Sequence, residues 1–272
     1  MIIKGKIIAD KILEEIREKV FVQHRKLVLG AVLVGDDSAL KKFVDLKAKA
    51  SEKAGINFKY FNFPEDIETG ELSEKIKQIC NLGEVSGLLV ELPLPKHINQ
   101  QEILDSVAIE KDVDVLSSEA QKKFYAGNFS VLPPAVGALR IVMNKIGLDP
   151  KNKKAAVFGQ GLLIGKPTVY WLKSVGAEVF EIDEFTMEPK QYSIKADIIV
   201  SGVGKPNLIT GDMVKGDVSV FDFGYGKKDG QTMGDVDFAS VSPKCRHITP
   251  VPGGIGPLVV VSVLKNLVEL NS

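Results

Sequence analysis

Cysteine is nearly absent from this chain, and the little there is does not cluster. Cys80 and Cys245 stand far apart in 272 residues. That excludes a disulfide framework and any thiolate metal knuckle, and it favours a pair of buried thiols. Histidine is equally sparse: His24, His97 and His247 share no ligand spacing, so they read as structural and no metal is expected. Net charge is missing too. Thirty-five basic residues balance 35 acidic ones, so no basic field draws nucleic acid or anionic lipid, and neither partner is expected. No apolar run is long enough to span a membrane; the last, Leu258–Leu264, is cut by Lys265. The opening Met1-Ile2-Ile3-Lys4-Gly5-Lys6 lacks the apolar core of a secretory leader, so a reducing cytoplasm is the expected compartment. Low-complexity tracts and solenoid-length repeats are also absent.

What the chain does have is glycine in telling places. Gly159-Gln160-Gly161-Leu162-Leu163-Ile164-Gly165-Lys166-Pro167 follows the apolar run Ala155–Phe158 and precedes a helical stretch, Thr168–Lys173. A strand, a glycine turn and a helix N-terminus together cradle a pyrophosphate, because glycine lets the backbone come close and the helix offers free N–H groups. The spacing is G-x-G-x-x-x-G, and an ordinary βα turn is the competing reading. Next, Glu178–Ile182 reads as a strand ending in Asp183 and Glu184, where a carboxylate would accept the ribose hydroxyls of NAD and repel a 2′-phosphate. The alternative for Asp183 is a solvated loop acid or helix cap. Two further strands, Asp197–Ser201 and Val218–Phe221, run into Gly202-Val203-Gly204-Lys205-Pro206 and Asp222-Phe223-Gly224. Strands ending in glycine loops suit a doubly wound α/β sheet, with ligands at the strand C-termini.

The N-terminal half alternates as well. Ile8, Ile12, Leu13, Ile16 and Val20 mark an amphipathic helix, and Leu27–Val34 an inner strand. Ser38 is placed to cap a helix reaching about Lys53. Ile56–Phe63 reads as strand, Glu71–Leu82 as helix, and Gly87–Val90 as a buried strand halted by Glu91-Leu92-Pro93-Leu94-Pro95. Residues 115–132 are the least regular stretch. A helix is expected from Pro133 to about Gly147. A final apolar helix, Pro257–Leu270, should pack back on the first domain. The division is then 1–132 plus 257–272 for one α/β domain and 133–256 for the nucleotide-binding one. The proline- and glycine-rich Thr249–Pro257 reads as a rigid loop of close backbone approach. Phe43 and Lys47 share a helix face, four residues apart. Asp112 and Asp114 alternate, so only one is expected to face a cleft.

These motifs, end to end, resemble the methylenetetrahydrofolate dehydrogenase/cyclohydrolase family. The resemblance runs through Val34-Gly35-Asp36-Asp37, Phe43-x-x-x-Lys47, Gly87–Pro95, Lys111-Asp112-Val113-Asp114, Gly159–Pro167, Gly234-Asp235-Val236-Asp237 and Thr249–Pro257. It implies two three-layer α/β domains with a folate cleft between them, the second of Rossmann type, and a homodimer. It implies oxidation of 5,10-methylenetetrahydrofolate with a nicotinamide cofactor, then hydrolysis of the methenyl product to 10-formyltetrahydrofolate. Lys47 would transfer protons and orient folate, and Asp114 would bind the pterin. Leu92 and Pro93, with Pro252, Gly253, Gly254 and Ile255, would line the folate. Gly159, Gly161 and Gly165 would approach the cofactor phosphates, with Ser201, Gly202 and Val203 on the nicotinamide side.

The departures from the family pattern gather at the site. Phe43 stands where the family has Tyr, Glu91 where it has Gln, and Val115 where it has Gly. Pro133-Pro134-Ala135-Val136 replaces Pro-Cys-Thr-Pro. A Glu91 carboxylate beside Lys47 would form an ion pair, favour the charged amine and make it a poorer base. Gln160 replaces an Arg that meets a 2′-phosphate, and Asp183 replaces a frequent His. Both favour NAD over NADP. Three readings follow: a folate dehydrogenase with hydrolysis retained or weakened, a diverged enzyme with another substrate, and a folate- or nucleotide-binding protein without turnover.

Overall fold

The computed structural model describes residues 1–22, 26–228 and 230–272, so His24 falls outside it. The chain divides into two compact bodies. One comprises Asp10–Pro134 with Val260–Ser272, the other Met1–Ala9 with Ala135–Val259. The first nine residues thus go with the nucleotide-binding half, contrary to the expected division. The reason is backbone pairing. Ile2 bridges Ile248 in parallel, Ile3 N–H donates to the Ile248 carbonyl at 2.8 Å, and Ile248 N–H donates to Met1 at 3.1 Å.

From Asp10 onward α1 (Gly5–Val22) belongs to the first body, where it buries Leu13, Ile16 and Val20 on one stripe. β1 (Val28–Val34) is the centre of a three-stranded parallel sheet, buried along its whole length, as an unbroken apolar run requires. β2 (Asn57–Phe63) and β3 (Gly87–Val90) flank it, and the half-exposed β2 is an edge. Between them run α2 (Ser38–Lys53) and α3 (Thr69–Asn81). The cap of α2 is Asp37, one residue before the expected Ser38. Its Oδ1 accepts from Ala39 N at 2.7 Å and Leu40 N at 3.0 Å, and its charge faces the positive helix end. α4 (Gln100–Asp105) follows. The irregular stretch beyond holds a further short helix, α5 (Ser118–Tyr125), capped by Ser117. Its apolar positions are too few to show a period, which is why the sequence reads as loop.

The second body holds α6 (Pro134–Ile146), β4 (Lys154–Phe158), α7 (Gly165–Ser174), β5 (Glu178–Ile182), α8 (Lys190–Ser193), β6 (Ile198–Ser201) and β7 (Val218–Asp222). A small hairpin, β8 (Gly226–Lys228) with β9 (Gln231–Met233), and α9 (Phe238–Val241) lead to β10 (Cys245–Ile248). The parallel sheet runs β10-β7-β6-β4-β5. From β4 the chain goes to β5 on one side and β6 on the other, so the strand order reverses between β4 and β6. That is where a doubly wound sheet binds its ligand. Phe158, Ile182, Ile199 and Val220 lie in its core. Most of α10 (Gly256–Leu270) belongs to the first body. There Asn266 donates to the Val113 and Leu132 carbonyls, both at 2.8 Å.

Both thiols are free. Cys80 is buried, whereas Cys245 is only half-buried, a departure from the expected pair of buried thiols. Among the described residues no helix is long and apolar enough to cross a membrane, and no group of His, Cys, Asp and Glu could hold a metal ion.

Candidate active site

The first body gathers Lys47, Glu91 and Asp114. Lys47 projects from the third turn of α2, and Glu91 follows directly on β3, its N–H held by the Val32 carbonyl at 2.9 Å. Lys47 Nζ donates to Glu91 Oε1 at 2.6 Å, with the two side chains 15% and 6% exposed. The ion pair expected from the Glu91 replacement is present, and it is sheltered enough for the charge-assisted bond to matter. Phe43, one turn before Lys47, is half-buried on the same helix. Leu92 is half-buried and Pro93 exposed.

Asp114 reaches this group because Leu88 of β3 bridges Asp112 in parallel, which lays the 112–114 segment alongside β3. The two acids part company there, though not by strand alternation, since the segment is a turn. Asp112 is a buried turn acid: its Oδ2 accepts from Leu116 N at 3.0 Å and Ser117 N at 2.8 Å. Burial pushes its carboxyl above the ordinary value against those bonds. Asp114 is the group left for chemistry. Burial raises its pKa to about 7; the Lys47 charge pulls it down, and Glu91 and Asp112 push it up. A carboxyl held near neutrality by burial and neighbouring charge is a candidate for chemistry.

In the second body, the glycine turn has the open backbone that a phosphate cradle would need. Gly159 has φ +85°, closed to most side chains, and a Cβ at Gly165 would fall 1.8 Å from the Gly159 carbonyl oxygen. Those two glycines let α7 start hard against β4. Gly161 differs: nothing lies within 4 Å of its Cβ position, so its backbone is open to a phosphate. Gln160 is turned back, its Nε2 donating to the Val157 carbonyl at 3.0 Å. Asp183 is exposed at the end of β5, where Oδ1 accepts from Phe185 N at 3.1 Å and Thr186 Oγ1 at 2.8 Å. Across the switch point Ser201 is buried, Gly202 half-buried and Val203 exposed.

The four residues expected to line folate from the Thr249–Pro257 loop do not share one environment. Pro252 and Gly253 are exposed, but Gly254 and Ile255 are buried. The Gly254 backbone is pressed against the N-terminal segment, where a Cβ at Gly5 would meet its oxygen at 1.8 Å. Among the histidines, His247 pairs with Ser219 Oγ at 3.0 Å and His97 with the Ile67 carbonyl at 3.1 Å, both structural roles.

Sequence reasoning missed the acids that shape the loops. Asp222 accepts from Gly224 N, Asp235 N and Val236 N, and its own N–H donates to Thr249 Oγ1. Asp235 in turn holds Ser201, Val203 and Lys205. The available signal was each acid within two residues of a glycine, in Asp222-Phe223-Gly224 and Gly234-Asp235.

Comparisons with known proteins show the family. The family model "Tetrahydrofolate dehydrogenase/cyclohydrolase, catalytic domain" matches residues 3–114, and its "NAD(P)-binding domain" matches 133–272. The bifunctional protein FolD of Wolinella succinogenes is 38% identical over 98% of this chain and 96% of its own length. The crystal structure of the bifunctional FolD enzyme of Campylobacter jejuni superposes with a TM-score of 0.95 at 35% identity, covering 99% of this chain and 98% of that one. The Trypanosoma brucei enzyme, solved with NADP and an inhibitor, gives 0.94 at 26% identity, covering 99% and 96%. A lysine–carboxylate group on one body, a glycine cradle at the switch point of the other, and matches along nearly the whole length place the chain in the tetrahydrofolate dehydrogenase/cyclohydrolase family.

Proposed function

We propose that this chain oxidises 5,10-methylenetetrahydrofolate to 5,10-methenyltetrahydrofolate with a nicotinamide dinucleotide, NAD in preference to NADP, and that it hydrolyses the methenyl product weakly. The observation that carries the reading is the Lys47–Glu91 pair at 2.6 Å, with Asp114 close enough to feel both charges. The open backbone at Gly161 and the start of α7 fit a dinucleotide pyrophosphate. When bound, the nicotinamide supplies the hydride acceptor. The protein's own part in that step is orientation and exclusion of water.

Asp114 would accept hydrogen bonds from the pterin in its ionised form, and Lys47 would orient the folate. Hydrolysis asks more of Lys47, which must give up a proton to serve as a base. Here the amine is tied to the Glu91 carboxylate in an ion pair at 2.6 Å, which a neutral amide could not form. Phe43, in place of the family Tyr, offers no hydroxyl to help. NAD preference rests on Asp183, whose charge would repel a 2′-phosphate, and on Gln160, which brings no cation to meet one.

The direct test is an absorbance assay with methylenetetrahydrofolate and each dinucleotide. Reduction of NAD faster than NADP is expected; reduction of neither would remove the dehydrogenase reading and leave a different substrate or a binding role. For the second step, Glu91→Gln should raise methenyl hydrolysis by about tenfold. Collapse of hydrolysis in that variant would make Glu91 a working acid–base group instead.

A further inference from the structure

We propose that Asp235 is a positioning residue for the nicotinamide half of the cofactor, acting by locking the 201–205 turn into one shape. The proposal rests on the cofactor reading given above. Asp235 is fully buried, and its carboxylate holds that turn with both oxygens. Oδ2 accepts from Ser201 Oγ at 2.6 Å and from Val203 N at 2.7 Å, and Oδ1 accepts from Lys205 N at 2.8 Å. Three donors on alternate residues of a five-residue turn leave it little freedom. Bonds to an ionised acceptor are roughly twice as strong as neutral ones.

The clamp is itself clamped. Asp222 takes Asp235 N at 3.1 Å and Val236 N at 3.0 Å, and Gly224 N at 2.8 Å. Neither flanking glycine has room for a side chain. A Cβ at Gly224 would lie 2.4 Å from Asp235 Cγ, and one at Gly234 2.0 Å from Asp222 Oδ2. The turn so fixed abuts the phosphate cradle. A Cβ at Gly159 would lie 3.0 Å from the Gly202 oxygen, and one at Gly202 2.6 Å from Ile164. Asp235 therefore sets the spacing between the two loops that border the switch point.

A buried carboxylate is a poor way to stabilise a fold, since an apolar side chain of similar size fills the space without losing hydration. Here its bonds go to a turn whose Val203 stays 45% exposed. Rigidity at an exposed loop serves a ligand, because it removes the ordering cost from binding.

The test uses the full chain and calorimetric binding of two probes, NAD and ADP-ribose, which carries the same pyrophosphate and adenosine but no nicotinamide. Asp235→Asn keeps the volume but turns one acceptor into a donor facing a donor. It should weaken NAD by about tenfold or more and ADP-ribose by no more than about twofold. Ser201→Ala removes one of the clamp's bonds without adding a donor. It should give a smaller loss of the same selectivity, and it decides the matter if Asp235→Asn does not fold. Equal losses for both probes, or no loss for either, would overturn the proposal. A wild-type chain that binds neither probe would instead sink the cofactor reading on which it rests.

Discussion

At Asp114 the competition between burial and charge can be followed through to stability. Burial outweighs the attraction of Lys47 and holds the carboxyl at about 7, so folding costs its ionised form more than its neutral one. The sign follows. An acid whose folded value is raised contributes most at low pH, where it is protonated in either state, and that contribution is lost as pH climbs through about 7. Asp114→Asn is neutral at every pH and escapes the loss. The variant should match the wild type in urea unfolding at pH 4 and exceed it at pH 8 by on the order of 1–3 kcal/mol, while binding folate less well. A difference that does not change with pH would refute the burial argument. Cofactor choice belongs to single residues too. Asp183→Ser combined with Gln160→Arg removes a repelling charge and adds a matching one. The ratio of NADP to NAD turnover should rise by about tenfold or more, measured as kcat/KM.

The glycine turn and its helix separate two roles that look alike in sequence. Gly159, Gly161 and Gly165 fall in one motif, but the protein itself requires only the outer two: Gly159 for its φ of +85°, and Gly165 because its Cβ would sit on the Gly159 oxygen at 1.8 Å. Gly161 is surrounded by open space, so its smallness has meaning only toward a ligand. Gly161→Ala should therefore leave the melting temperature of the ligand-free chain within a degree or so and still weaken NAD binding by about tenfold or more. Gly165→Ala should lower stability by about 2 kcal/mol or more even without NAD. If Gly161→Ala destabilised the free chain, the cradle reading would be wrong. Period and punctuation made most elements legible: the unbroken apolar run of β1, the Gly87–Val90 strand stopped at Pro93, and the turn between β4 and α7 all follow from local physics. The Lys47–Glu91 ion pair could be foreseen because the family resemblance sets position 91 beside position 47, and there the two residues carry opposite charges. The site was not legible where long-range bonds decide. Asp235 meets Ser201 across 34 residues, and Val115 keeps φ +58°, a left-handed conformation costly for a β-branched side chain, because its surroundings hold it there.

The bodies are discontinuous in sequence, and this shapes how the whole chain must fold. Neither can be completed from one continuous stretch. The nucleotide-binding body borrows Met1–Ala9, whose Ile3 is 4% exposed and whose backbone pairs with β10. The other body borrows Val260–Ser272, where Asn266 satisfies the Val113 and Leu132 carbonyls and Asn271 Nδ2 donates to Ser86 at 3.0 Å. Sequence periodicity could not show the first loan, since its pairing residues, Met1 to Ile3, are too few to carry a pattern, whereas the apolar face of α10 announced the second. The burial of Ile3 and Leu267 alone is worth roughly 2 kcal/mol each, and the bonds that accompany them about 1 kcal/mol apiece. A domain's whole margin is of order 5–15 kcal/mol, so these loans are a large share of it. Separating the chain between Pro134 and Ala135 strands each borrowed segment with the wrong partner. Expressed apart, fragments 1–134 and 135–272 should each lack a cooperative thermal transition, and mixing them should restore one along with NAD binding. If fragment 135–272 melted cooperatively alone at the temperature of the intact chain, the N-terminal residues would be an ornament of that sheet and not part of its structure.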